Sequence, residues 1–406
     1  MKIYILRLFL ISILFISCKH DVQKIFFSTN NSNAIEVDLD NSINSAELLF
    51  STYFKEPKTV ILETSEDCLI KRIHGIELFD EKIYVHDDKM KRLFVFDMDG
   101  KFKYEIGKPG MGPGEYIKLS DFAIDRKDSV VFLWDEAKKN ILRYDLKTSE
   151  FISSVHVSDI EGQSYSLLFK GGKFYINSTT ENMESEKYLL NEIDCQTGLI
   201  ARKFLPAEDY NKGWNIPLRL PHSNFYSKNH PEPKYTDFFS DTILSIAENG
   251  ITASYVIKSK SMIPKKVVEK IVEDYYKSSG YIDLTSIYTS EYIYKISNFV
   301  EMDKYAYFQY TKGTDVMHSF YDKNRNCVEV SKILKNDYVS SSSYIHMKLM
   351  YSTPKEVLAI LRTEHLPRFI DAVSAGTVNE NLDKYEQLIH LNEESNPILF
   401  FHEFKE

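Results

Sequence analysis

The sequence predicts an all-β chain, a six-bladed β-propeller with four-stranded antiparallel blades and one or two short helical insertions. Three observations lead there. Short runs rich in Ile, Val, Tyr and Phe recur along most of its 406 residues, the composition of strands. Aspartate-marked turns separate them at a near-constant interval: Asp87 to Asp135 and Asp97 to Asp145 are both 48 positions, and Asp145 to Asp194 is 49. Four short strands per such interval is the arithmetic of one propeller blade. Finally, the composition is globular, with 43% hydrophobic and 27% charged residues and one long apolar run, at the start. That excludes wholesale disorder and a multi-span membrane protein. A net charge of −9 argues against binding nucleic acid through its phosphates.

In chain order, residues 1–17 read as a lipoprotein signal peptide. Lys2 and Arg7 make a basic start, and Leu8 to Ser17 is an uncharged run of ten residues. That length suits a signal-peptide core and is far short of the roughly 20 residues that span a bilayer. The run ends Phe15-Ile16-Ser17-Cys18 and resembles a bacterial lipobox, with Phe15 where the pattern usually has Leu. The resemblance implies diacylglycerol on the Cys18 thiol, cleavage before it and acylation of the new amino end. Two or more acyl chains anchor a protein stably. Residues 18–34 are expected to be a tether and 35–406 the propeller domain. The implied partner is the membrane, with a location in the cell envelope, on the outer membrane, facing periplasm or surface. Cys68, Cys195 and Cys327 are odd in number and match no zinc spacing, so free or buried thiols with at most one disulfide are expected.

Six units come next, at roughly 70–116, 117–160, 163–206, 220–260, 285–336 and 342–404. Each repeats one grammar: Lys82-Ile83-Tyr84-Val85-His86-Asp87 then Arg92-Leu93-Phe94-Val95-Phe96-Asp97, against Val130-Val131-Phe132-Leu133-Trp134-Asp135 then Asn140-Ile141-Leu142-Arg143-Tyr144-Asp145. The Asp can accept a bond from the backbone two residues on, and Gly or polar residues complete a hairpin turn. Leu93 to Phe96 is apolar on both faces, as a sheet packed between two sheets requires. Ile35 to Leu39 and Thr59 to Glu63 are strand candidates expected to join the last blade and close the ring. Two segments break the pattern: Pro264 to Ser279, with Val268, Ile271, Val272 and Tyr275 at helical spacing, and Asn381 to Leu391, a weaker helix.

The stretch Ile83 to Tyr116 resembles the repeats of NHL-type six-bladed propellers. Its end, Ile106-Gly107-Lys108-Pro109-Gly110-Met111-Gly112-Pro113-Gly114-Glu115-Tyr116, is similar to a blade-to-blade loop in a large family of bacterial six-bladed propeller lipoproteins. Ser240-Asp241-Thr242-Ile243 and Asn396-Pro397-Ile398-Leu399-Phe400 are similar to that family too. The resemblance implies a fold and an envelope location, and little about a ligand.

Read for itself, the loop carrying Gly107, Gly110, Gly112, Pro113, Gly114, Glu115 and Tyr116 suits a sharp crossing between blades. A phosphate cradle is disfavoured: no Gly-Lys-Ser/Thr is present, and two prolines remove amide donors. No Gly-x-Ser-x-Gly or His-Glu-x-x-His occurs, and Asp97-Met98-Asp99-Gly100 fits a turn better than a calcium loop. No catalytic residue, metal site or cofactor is implied. Placing the inner strands on the blade map puts Arg72, His74, Asp121, His222, Asn224 and His346 on the axial channel as candidate ligand contacts. The expected function is a non-catalytic ligand- or protein-binding module whose partner is a small polar ligand or another envelope protein. The alternative is a propeller enzyme, a carbohydrate or peptide lyase or hydrolase using channel residues. A third reading is a structural module docking through the helix at 264–279.

Overall fold

The computed structural model describes residues 23–25, 34–160, 162–179, 187–214, 216, 224–247, 250–278, 280, 283–342 and 347–405. Six antiparallel sheets of four principal strands form the blades. Blade 1 runs Ile73–Phe79, Lys82–Asp87, Arg92–Asp97 and Phe102–Glu105. Blade 2 is Leu119–Asp125, Val130–Asp135, Asn140–Asp145 and Phe151–His156. Blade 3 is Leu167–Lys170, Lys173–Asn177, Tyr188–Asp194 and Ile200–Pro206. Blade 4 is Phe225–Tyr226, Lys234–Tyr235, Thr242–Ala247 and Gly250–Lys258. Blade 5 is Ile293–Glu301, Tyr305–Lys312, Asp315–Asp322 and Cys327–Ser331. Blade 6 takes three strands from the C-terminal end, Lys348–Ser352, Glu356–Leu361 and Ile398–Glu403, and its outermost strand, Lys58–Ile61, from the N-terminal end. That splice closes the ring.

The blades cohere because each strand alternates between two neighbours. Ile83, Val85, Phe94 and Phe96 pack on blade 6 residues such as Leu358 and Leu399, while Tyr84, Leu93 and Val95 pack on Leu133 and Leu142 of blade 2. Every pair of successive blades owns such a cluster, from Trp134 with Phe174 between blades 2 and 3 to Phe320 with Phe400 between blades 5 and 6. Burying each large apolar side chain contributes about 1.5–3 kcal/mol. This is why the strand sequences read apolar on both faces.

The aspartates of the repeat hold two different positions. Asp97, Asp145, Asp194 and Asp322 sit in the third hairpin turn of their blades, and one carboxylate oxygen accepts backbone amides two to four residues on. Asp87 and Asp135 end the second strand and also reach backwards. Asp87 accepts the amides of Lys71 (2.5 Å) and Arg72 (3.3 Å), and Asp135 those of Ile117 (2.9 Å) and Lys118 (3.0 Å). Each therefore pins the linker that enters its own inner strand. Asn177 does the same for Tyr165 and Ser166 in blade 3.

The segment before blade 1 does more than close the ring. Gln23–Ile25, within the stretch read as a tether, adds a parallel strand to the outer edge of blade 3. Ile35–Asp38 pairs with Gly250–Lys258 of blade 4 instead of the last blade, and Ile43–Asn44 pairs with blade 5. Only the second candidate strand closes blade 6. The pattern of residues 35–39 specified a strand but not its partner, because any open blade edge offers the same hydrogen bonds.

The helix at 264 is present as Lys265–Lys277, and its Val268 and Ile271 pack on Trp214, Phe238, Phe239 and Ile287 between blades 4 and 5. The helix expected over 381–391 shrinks to Tyr385–Leu388, whereas Leu366–Ser374, with Pro367 in its first turn, forms a longer one. Both lie between the second and third strands of blade 6. Cys68, Cys195 and Cys327 are free thiols. No helix among the described residues is long and apolar enough to cross a membrane.

Candidate functional site

The inner strands of blades 1 and 2, 2 and 3, 4 and 5, 5 and 6, and 6 and 1 are direct neighbours, so they surround the axis. A polar cavity lies there, offering about 50 Å³ to the centres of water molecules. That is room for a few waters or one small polar molecule. A wider hollow of about 530 Å³ lies near Lys55, Lys355 and Glu403. It is a surface depression where Lys55 already pairs with Glu403 at 2.8 Å. The axial cavity is the better candidate, because charged side chains from several blades converge in it.

Four of the six inner strands carry a β-bulge: between Ile73 and Gly75, Leu119 and Asp121, Ile293 and Lys295, and Leu349 and Tyr351. A bulge inserts one residue and re-aims the side chains beyond it. Lys348 and Tyr351, three apart, would face opposite sides of a regular strand, yet both line the cavity across the bulge.

From blade 1, His74 and Glu77 reach the cavity. Burial pushes the His74 imidazole below its ordinary range, so it is neutral at pH 7. Behind it stands His86, fully buried, its ring 5.3 Å from that of His74 and 6.2 Å from Phe122. Among the described residues neither His86 nitrogen has a partner, and burial, then the neighbouring His74 imidazole, lowers its pKa to about 3. Burial likewise pushes Glu77 up to about 7 against the pull of Arg126, which pairs with it at 3.1 Å.

Blades 2, 3 and 4 meet at Asp121. One carboxylate oxygen accepts the Leu167 amide at 2.8 Å and the Lys228 ammonium at 2.6 Å; the other accepts the Phe122 amide at 2.9 Å. Lys228 also donates to the Phe122 carbonyl at 3.0 Å. From blade 6, Lys348 and Tyr351 complete the wall. Asn229 donates to the Tyr351 oxygen at 2.5 Å. Burial, then the charges of Arg362 and Lys295, lower Lys348 to about 8. Among the described residues no group of three His, Cys, Asp or Glu is arranged to hold a metal ion.

Of the side chains placed on the channel from sequence, His74 and Asp121 stand at the cavity wall. Arg72 does not line the cavity and grips Asp88 through two nitrogens, one at 2.7 Å. Asn224 is buried in a knot between blades 3 and 4, accepting from Asn177 at 3.0 Å and donating to the Thr236 carbonyl at 3.0 Å. His222 and His346 lie outside the described residues. Glu77, Lys228, Lys348 and Tyr351 were not anticipated. They sit near bulges or in a strand-end turn, and their partners are far away in sequence, so no local spacing announces them.

The glycine-rich loop makes a tight crossing from blade 1 to blade 2. Lys108–Pro109 and Glu115–Tyr116 pair as a minimal parallel ladder, and Glu115 folds under the loop to accept the Gly112 amide at 2.7 Å. Lys138 donates to the carbonyls of Gly110 and Glu115, and the Tyr144 hydroxyl to that of Gly114. Gly114 has φ +74°, and a Cβ there would lie 2.8 Å from the Phe151 ring. These bonds engage the groups a phosphate would need.

With fold and cavity described, the class is clear: a six-bladed β-propeller with a polar axial cavity. Residues 34–403 match the family described as "Domain of unknown function (DUF4934)", and the chain belongs to that family. It is similar in structure to a candidate exported protein from Bacteroides fragilis, with a TM-score of 0.71 and 20% identity over 92% of this chain and 100% of that one. A DUF4221-family protein from Bacteroides vulgatus aligns with a TM-score of 0.49 and 10% identity, covering 87% of this chain and 97% of the other. No curated protein matches the chain. At 20% identity the likeness to the Bacteroides fragilis protein speaks for the fold alone.

Proposed function

We propose that the chain is a lipid-anchored propeller of the bacterial cell envelope that binds a small polar ligand in its axial cavity without transforming it. The observation that carries the binding role is the convergence of His74, Asp121, Lys228 and Lys348, from four blades, on one polar cavity. A propeller built only as a scaffold gains nothing from charges on its axis, since each must be desolvated. The anchor rests on the lipobox-like Ser17-Cys18, and the similarity to a candidate exported protein is in keeping with that location. The test is a ligand screen by thermal shift on the full-length protein, repeated with His74→Leu. A hit whose stabilisation vanishes in the variant supports the reading, and hits indifferent to the cavity sink it. For the anchor, Cys18→Ala protein should leave the membrane fraction; retention there would refute lipidation.

One observation favours the enzymatic alternative. Glu77 and Asp121 line the same cavity, and Glu77 is held up to about 7, where a carboxyl can serve as acid or base. Turnover of a screened ligand that stops in Glu77→Gln with binding intact would install that reading in place of the first.

A further inference from the structure

The charges around the axial cavity do not balance, and the imbalance identifies what the cavity takes. Each carboxylate near it is already claimed. Asp121 holds Lys228 (2.6 Å), Glu77 holds Arg126 (3.1 Å), Asp88 is gripped by Arg72, and Glu364 by Arg362 (3.1 Å). Lys348 is left over. It lines the cavity, and among the described residues it has no carboxylate partner and no hydrogen bond, although Glu364 and Asp88 are near enough to be felt. Lys295, which also acts on Lys348, is met among the described residues by the face of Phe238, 5.1 Å away. A second unspent donor stands three residues from Lys348. The Tyr351 oxygen accepts from the Asn229 amide at 2.5 Å and from the Arg126 guanidinium, and among the described residues its own O–H is given no acceptor. An ammonium without a counter-charge and a hydroxyl without an acceptor, turned by one bulge into the same space, are complementary to a single group.

Resting on the proposed binding role of this cavity, we infer that its ligand is a small oxyanion, a carboxylate or phosphate group, held by the Lys348 ammonium and the Tyr351 hydroxyl. Lys228 is the fixed charge beside it, neutralised by Asp121, and the uncharged His74 adds a ring N–H. The available space limits the part enclosed to a few non-hydrogen atoms. The anion would supply the counter-charge that Lys348 lacks, and bound anion would draw the lysine back towards its ordinary protonation range.

The experiment is calorimetric titration of the full-length protein with acetate, succinate, inorganic phosphate and chloride, with glucose as a neutral probe. The wild type and the His74→Leu, Lys348→Met and Tyr351→Phe variants are compared. At least one oxyanion is expected to bind, with affinity falling at least tenfold in Lys348→Met and several-fold in Tyr351→Phe. The carboxylate and phosphate arms show which source the group has. Affinity should also decline as pH rises past about 8, as Lys348 loses its proton under the influence of Lys295, Arg362, Glu364, Asp88, Lys228 and His74. Removing an unpaired half-buried charge should leave the fold as stable or more so, which denaturation of Lys348→Met verifies. Oxyanion binding unchanged in Lys348→Met overturns the inference. Glucose binding that depends on His74 while no oxyanion binds also overturns it, and leaves the cavity's binding role standing. Silence from every probe counts against both.

Discussion

Asp121 on the inner strand of blade 2 and Lys228 in the turn after the inner strand of blade 4 meet at 2.6 Å, bypassing blade 3, whose Leu167 amide donates to the same carboxylate oxygen. Three blades are thus tied at one atom, and both side chains are largely buried. Removing one member of a buried pair strands the other charge, which typically costs about 3 kcal/mol or more. Asp121→Ala should therefore cost about 3 kcal/mol in denaturant unfolding. Lys228→Met should cost less, because Asp121 keeps two backbone amides. The double variant should cost clearly less than the sum; strict additivity would mean the contact carries no energy.

The two classes of aspartate give a sharper test of why the repeat exists. Asp135→Ala removes a fully buried carboxylate and leaves the linker amides of Ile117 and Lys118 without their acceptor, a loss of about 2–3 kcal/mol. Asp145→Ala, in an exposed turn, should cost about 1 kcal/mol or less. Urea midpoints at equal m-value decide it, and equal losses would contradict the distinction.

These residues also show what the sequence could and could not reveal. The 48-residue interval was legible because Asp87 and Asp135 perform the same local task in each blade and strands alternate with period two. The helix at 264 was legible from its apolar spacing, but Leu366–Ser374 was too short to stand out. The cavity was legible only as far as inner strands can be numbered, which suffices for His74 and Asp121. A bulge is a one-residue backbone event with no residue signature, so Lys348 and Tyr351 went unnoticed. The Asp121–Lys228 pair spans 107 positions and depends on ring closure rather than on any motif.

Stability should respond to pH in opposite senses at two neighbouring side chains. His86 is lowered to about 3 in the fold from an ordinary 6.5. Between those values the unfolded chain takes up a proton that the folded one refuses, so stability falls as pH drops from about 6.5 towards 3. Glu77 is raised to about 7 from 4.5, so the unfolded chain releases its proton first and stability is lost as pH rises from about 4.5 through 7. His86→Phe should flatten the acid limb and Glu77→Gln the limb above pH 4.5, each by close to one proton in the linkage slope. Unfolding free energies measured from pH 4 to 8 test both, and unchanged slopes would refute the assigned protonation states.

In the blade-crossing loop, Gly114→Ala sets a methyl 2.8 Å from the Phe151 ring at φ +74°. A loss of about 1–2 kcal/mol is expected from backbone conformation and crowding together. Gly172→Ala is the control: φ is also +74°, but nothing lies within 4 Å. It should lose only the conformational part, about 1 kcal/mol, so the difference between the two thermal midpoints isolates the contact.

Ring closure can be tested by length. Residues 34–49 reinforce the outer edges of blades 4 and 5, but Lys58–Ile61 is itself a strand of blade 6 and buries Val60 against blade 1. Phe50, Tyr53 and Phe54, just before it, fill the core between blades 5 and 6, with Tyr53 stacked on Phe320 at 3.6 Å. A chain starting at residue 34 should unfold in one cooperative transition close to that of the full protein. A chain starting at residue 64 loses all of these side chains and exposes the edge of Ile398–Glu403, a free template for pairing with other chains. It should aggregate or unfold without a sharp transition, and a synthetic peptide of residues 46–64 should restore the transition. If the chain starting at residue 64 melts cooperatively by itself, the N-terminal strand is an ornament on the ring and not its closure.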